Sequence, residues 1–148
     1  MKIWIAIILF SLFLIKADAF TFDQASPIRQ GVHVEWYRTV APSLDGSAIF
    51  VWSDTRYGVR NVFAHKIDKN GNFTWGDNGA VITNLPGRQE DPVAIEDGNG
   101  GAFIAWVDYR FDDSGDIFIQ HVNESGAIQM DPNGCLLYTS DAADEERG

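Results

Sequence analysis

The chain has 148 residues, a formal net charge of −10 and a pI near 4.5. That acidity argues against nucleic acid or an anionic membrane surface as partner. The only cysteine is Cys135, so the chain carries no disulfide framework and no paired-thiol chemistry.

The N-terminus reads as a secretory signal over residues 1–19. Lys2 supplies the positive region, Ile3 to Ile15 is apolar apart from Ser11, and Ala17-Asp18-Ala19 gives a small-x-small cleavage pattern. Those 13 residues fall short of the ~20 needed to span a bilayer, which favours a cleaved leader over an anchor. A mature chain from Phe20, secreted or displayed at the cell surface, is therefore expected.

After the leader no helical period is sustained. A strand is predicted near Val32 to Tyr37, either as the start of the first blade or as the piece that closes a ring against the last one. "DGSAIFVWSDTR" (45–56) then aligns with "NGGAFIAWVDYR" (99–110) at an offset of 54. "NVFAHKIDKNGNFTWGDNGAV" (61–81) aligns with "DIFIQHVNESGAIQMDPNGCL" (116–136) at an offset of 55. Within the second copy, "PVAIED" (92–97), "AFIAWVD" (102–108) and "DIFIQHV" (116–122) are rich in the β-branched and aromatic residues of strands. Gly98-Asn99-Gly100-Gly101 and the "NESG" and "DKNG" stretches supply the turns between them. A short fourth strand completes each unit.

Four antiparallel strands in about 54 residues, repeated in register, predict an all-β fold of β-propeller-like blades, with a β-sandwich as the alternative. The repeat units run over about 38–91 and 92–134, roughly two blades. The apolar runs Ala48 to Trp52 and Ala102 to Val107 suit inner strands covered on both faces by neighbouring blades. Propellers close with about four to eight blades, so two blades alone are expected to leave an apolar face uncovered.

The stretch "CLLYTSDAADEERG" (135–148) breaks with the composition before it. Residues 135–144 resemble, at ten consecutive positions, the translation of a transposase-type sequencing adapter. The expectation is that 135–148 is a non-native tail, and that 20–134 is the N-terminal part of a longer repeat domain. That part holds eight Lys or Arg against sixteen Asp or Glu, a net charge of −8. The plainer alternative is an acidic terminal tail.

"RQGVHVEWYR" (29–38), "WSDTR" (52–56), "NVFAHKIDKNG" (61–71) and "GRQEDPVAIEDGNGGAFIAWVDYR" (87–110) resemble a large class of secreted bacterial propeller-like repeat proteins. The resemblance covers residues 27–134. It implies a fold and an extracellular location, and almost no chemistry.

Three groups of residues could carry function. Trp52, Asp54 and Arg56, echoed by Trp106, Asp108 and Arg110, offer an aromatic face, a carboxylate and a guanidinium fork, the parts of a sugar site. A catalytic set is needed once per ring and a scaffold contact once per blade, so recurrence favours a structural role. Asp112, Ser114 and Asp116 place oxygens at alternate positions, as hard-cation loops do, and make calcium the one cofactor the residues suggest. The matching stretch of the first copy, "YGVRN", has no carboxylate. His33 and Glu35 share a strand face and could form an acid/base or metal pair. "IDKNGNFTW" (67–75) weakly resembles the Asp box of sialidase-type propellers, with Asp68 and Gly71 one residue too far apart; a hairpin turn explains it better.

The sequence thus favours a non-catalytic binding or scaffold repeat that engages polysaccharide or a cell-surface protein, with the remaining blades of a full-length chain as its structural partners. The alternative is a glycan-acting hydrolase of sialidase-like propeller architecture.

Overall fold

A computed structural model of the chain describes residues 35–139. The predicted signal, and His33 with it, lie outside that range. No helix occurs among the described residues, and eight strands form two four-stranded antiparallel sheets. Sheet A comprises β1 (Glu35–Pro42), β2 (Ala48–Asp54), β3 (Asn61–Ile67) and β4 (Ala80–Val81), in that spatial order. Sheet B comprises β5 (Gln89–Glu96), β6 (Ala102–Asp108), β7 (Asp116–Val122) and β8 (Cys135–Tyr138), again in sequence order.

The two sheets share their registers. Val51 pairs with Thr39 and Ala64 in sheet A, and Ala105 pairs with Val93 and Ile119 in sheet B. Each first strand carries a bulge, between Trp36 and Arg38 and between Glu90 and Val93. At the bulges Tyr37 and Asp91 take φ values of 45° and 49°, a left-handed conformation that costs an L-residue roughly 1–2 kcal/mol.

The turns after β3 and β7 are built alike. Asp68 Oδ1 accepts from the Asn70 and Asn72 amides, and Asn123 Oδ1 accepts from those of Ser125 and Ala127. Exchange of Asp for Asn keeps the acceptor that closes the turn. Gly71 and Gly126 sit in the left-handed region, at φ 87° and 82°. The Asp68 amide donates to the Asn72 carbonyl and the Asn123 amide to the Ala127 carbonyl, so three residues separate each closing pair rather than the two of the tightest hairpin.

The core lies between the sheets. Ala41, Ile49, Val51, Val62, Ala64 and Ile82 of sheet A pack in one cluster with Ala102, Ile104, Trp106, Phe118 and Val122 of sheet B. Cover on both faces is found only in sheet A, where Val51 to Asp54 and Asn61 to Lys66 are buried without interruption. In β6 and β7 burial alternates residue by residue, so sheet B is covered on the face turned to sheet A alone. The second apolar run, Ala102 to Val107, thus differs from its expected cover on both faces. β8 falls in the segment expected to be non-native: its backbone pairs with β7 while all four of its residues stay exposed.

Hydrogen bonds between the sheets fix their mutual position. The Gln89 amide donates to the Arg60 carbonyl at 2.9 Å, and Lys66 Nζ donates to the Gly100 carbonyl at 2.8 Å. Trp75, in the loop after β3, lies over Gly126 of sheet B and donates its indole N–H to the Glu124 carbonyl at 2.8 Å. A Cβ at position 126 would stand 2.8 Å from the indole, so the contact requires glycine. Trp75→Ala is expected to cost about 3–5 kcal/mol in urea unfolding, and Trp75→Phe clearly less, because Phe keeps most of the buried area and loses only the hydrogen bond.

Candidate functional site

The Trp-x-Asp-x-Arg motifs close one end of each sheet. β2 ends at Asp54, whose carboxylate is fully buried. Asp54 Oδ2 accepts from Trp52 Nε1 at 2.9 Å, and Oδ1 accepts from the Arg56 amide at 2.9 Å. The Arg56 guanidinium grips the same carboxylate, with Nη2 2.6 Å from Oδ2, and reaches on to the Asn78 carbonyl at 3.1 Å. Its Cζ lies 3.7 Å from the Phe63 ring centre, and Phe63 stacks on Trp52 at 6.2 Å.

Sheet B repeats the arrangement. Asp108 accepts from Trp106 Nε1 at 2.9 Å and from the Arg110 amide at 3.0 Å, and pairs with the Arg110 guanidinium. Arg110 donates to the Asn133 carbonyl at 2.8 Å, and its Cζ lies 4.0 Å from the Phe118 ring centre. Trp52 and Trp106 are only 4% and 1% exposed, so neither indole offers an open face to a sugar ring. Burial alone would push the Asp54 carboxyl up. The hydrogen bonds from Arg56 and Trp52 outweigh it and hold the group below the ordinary carboxylate range.

The other sequence-predicted residues are not gathered into a site. Glu35 begins β1 opposite Asp54 in the ladder, while His33 lies outside the described residues. Asp112 Oδ1 accepts from the Ser114 and Gly115 amides and so caps its own turn. Ser114 is exposed, whereas Asp116 is buried in β7 opposite Asp108. Among the described residues no group of three His, Cys, Asp or Glu side chains converges as a metal site would require.

Two features were not legible in the sequence. The first is an open cleft of about 570 Å³ at the junction of the sheets, lined by Thr55, Gly58, Val59, Arg60, Arg88 and Glu90. Arg60 and Arg88 both approach Glu90, and Arg88 also lies 3.9 Å from the Tyr109 ring centre. The "YGVRN" loop supplies one wall and β5 with the residue before it supplies the other, 30 residues away in sequence at the Arg60–Glu90 pair. No local pattern announces such a pair.

The second is His65, fully buried on β3 beside Phe73, with a hydrogen-bond partner for neither ring nitrogen. Burial holds its pKa below the usual 6.5, and the Gly76 and Lys66 backbone, near the ring but short of hydrogen-bonding geometry, offsets only part of this. Its counterpart Gln120 is satisfied: Nε2 donates to the Asp131 carbonyl at 2.7 Å, and Oε1 accepts from the Met130 amide at 3.0 Å.

Two expectations follow from these environments. Asp108→Ala leaves the buried Trp106 N–H and the Arg110 guanidinium without their shared acceptor, and should cost about 3–5 kcal/mol in chemical denaturation. An unchanged midpoint would return the motif to the sugar-site reading. His65 is neutral in the folded chain and protonates more readily when unfolded. Its contribution to stability is therefore complete above about pH 6.5 and is lost as pH falls from there through the lowered folded-state pKa. His65→Gln should remove that acid limb from the stability–pH profile and add about 1 kcal/mol at neutral pH, by making the bonds that Gln120 makes.

No family model matches the chain, and neither a curated protein nor a solved structure matches it, so its chemistry is argued from these residues alone.

Proposed function

We propose that the chain is a secreted, non-catalytic binding or scaffold module, two blades of a propeller-like array that engages polysaccharide or a cell-surface protein. The observation that carries this reading is the internal use of both Trp-Asp-Arg sets. Each carboxylate and guanidinium is committed to its own sheet, as a per-blade fastening would be. The common strand order and register of the two sheets support the blade reading.

On such a frame, binding belongs to the loops that differ between the sheets. The cleft beside "YGVRN" is an open concavity of that kind, with charged side chains on its walls. Arg88 is half-exposed there, and its guanidinium can present paired donors to a carboxylate, sulfate or hydroxyl of a polysaccharide. Its stacking on Tyr109 limits the freedom it would lose on binding.

A glycan array probed with the chain is expected to give a defined set of polysaccharide ligands. Arg88→Ala should weaken binding to them by about tenfold, the scale of one charge-assisted contact, without displacing the unfolding midpoint. A blank array, or binding indifferent to that substitution, would count against the polysaccharide reading.

A further inference from the structure

The face of sheet B turned away from sheet A is apolar and open. Val93 and Ile95 on β5 are 61% and 68% exposed, and Phe103, Ala105 and Ile119 are partly exposed beside them. These side chains line a shallow groove of about 160 Å³ between β5, β6 and β7. In a chain of net charge −10, the centre of this face holds no charged residue. Contiguous apolar surface of this kind marks an interaction site.

The chain itself shows what covers such a face. The shared registers match Ile95 to Ala41, Phe103 to Ile49, Ala105 to Val51 and Ile119 to Ala64. In sheet A these four positions are closed: Ala41 is 2% exposed, and Ile49, Val51 and Ala64 lie in the same buried cluster. They share that cluster with Ala102, Ile104, Trp106, Phe118 and Val122 of sheet B, and Ala94 of β5 packs against it.

A second observation points the same way. Sheet A is latched to its neighbour by Trp75, seated on the glycine of the turn after β7. Met130 holds the Trp75 position in sheet B, 55 residues on, and is another long apolar side chain at the same rim.

We infer that the open face of sheet B is a docking surface for a further four-stranded antiparallel sheet that presents the pattern of Ala102, Ile104 and Trp106 on one strand and Phe118 and Val122 on the next. The inference rests on the array reading above, and concerns the partner of the array's open face rather than its external ligand.

The test extends the chain by a second copy of residues 84–139 placed after Thr139, with Cys135→Ser in both copies and Ile95→Cys in the first. Maleimide labelling of that cysteine should be slower by about tenfold or more than in the unextended Ile95→Cys, Cys135→Ser chain, because labelling then requires the docked sheet to open. Ile104→Asp with Phe118→Asp in the appended copy alone should restore the fast rate. An unchanged rate in the extended chain overturns the inference. Protection that appears in the unextended chain and grows with its concentration also overturns it, since the occupant would then be a second copy of the chain. Glycan binding is read separately, so failure of the ligand proposal and failure of this one are distinguishable.

Discussion

A carboxylate withdrawn from water has to be met by donors on every side, and Asp54 and Asp108 organise one end of each sheet by that requirement. Each takes the indole N–H of the Trp two residues earlier, the amide that starts the next loop, and a guanidinium. The guanidinium covers an aromatic ring of the third strand and binds a carbonyl of the loop that leads to the fourth. One buried charge thereby ties together two strands and two loops. Net stabilisation by the pair is modest in such settings, but loss of either partner strands the other in a dry interior. That asymmetry explains why the set recurs intact while the loops around it vary.

The faces of the sheets impose the second constraint. A sheet with apolar side chains on both faces needs cover on both, and sheet A has it. Side chains of sheet B close one face. On the other, Arg56 and Tyr57 lie over Phe63, and Phe73 packs on His65. Sheet B has cover on one face only. The asymmetry is clearest at Ala41 and Ile95, equivalent in register and opposite in exposure.

Much of this was legible in the residues. The all-β class followed from strand-forming runs of 6–8 residues broken by Gly-, Asn- and Asp-rich turns, and the structure places strands on "AIFVWSD", "AFIAWVD" and "DIFIQHV". Recurrence of the Trp-x-Asp-x-Arg set favoured a structural role, and the structure shows its members bonded to one another within each sheet. What escaped the sequence were contacts across the sheets: Arg60 with Glu90, Lys66 with the Gly100 carbonyl, and Trp75 with the Glu124 carbonyl. These depend on the angle and spacing at which two sheets stack, which no local pattern encodes. The alternate oxygens of "DDSGD" lie apart in the structure: Asp112 caps its own turn, and Asp116 stands in the ladder opposite Asp108.

The sequence by itself determined the strands, their turns and the fastening at the end of each sheet, because those rest on periodicity, backbone preference and neighbours a few residues apart. Only the tertiary structure decided which face of each sheet is closed, where the Arg60–Arg88–Glu90 cleft opens, and that His65 is buried without a partner. The physical reason is one of range. A strand carries its alternation within itself, whereas burial and cleft geometry are properties of two surfaces brought together.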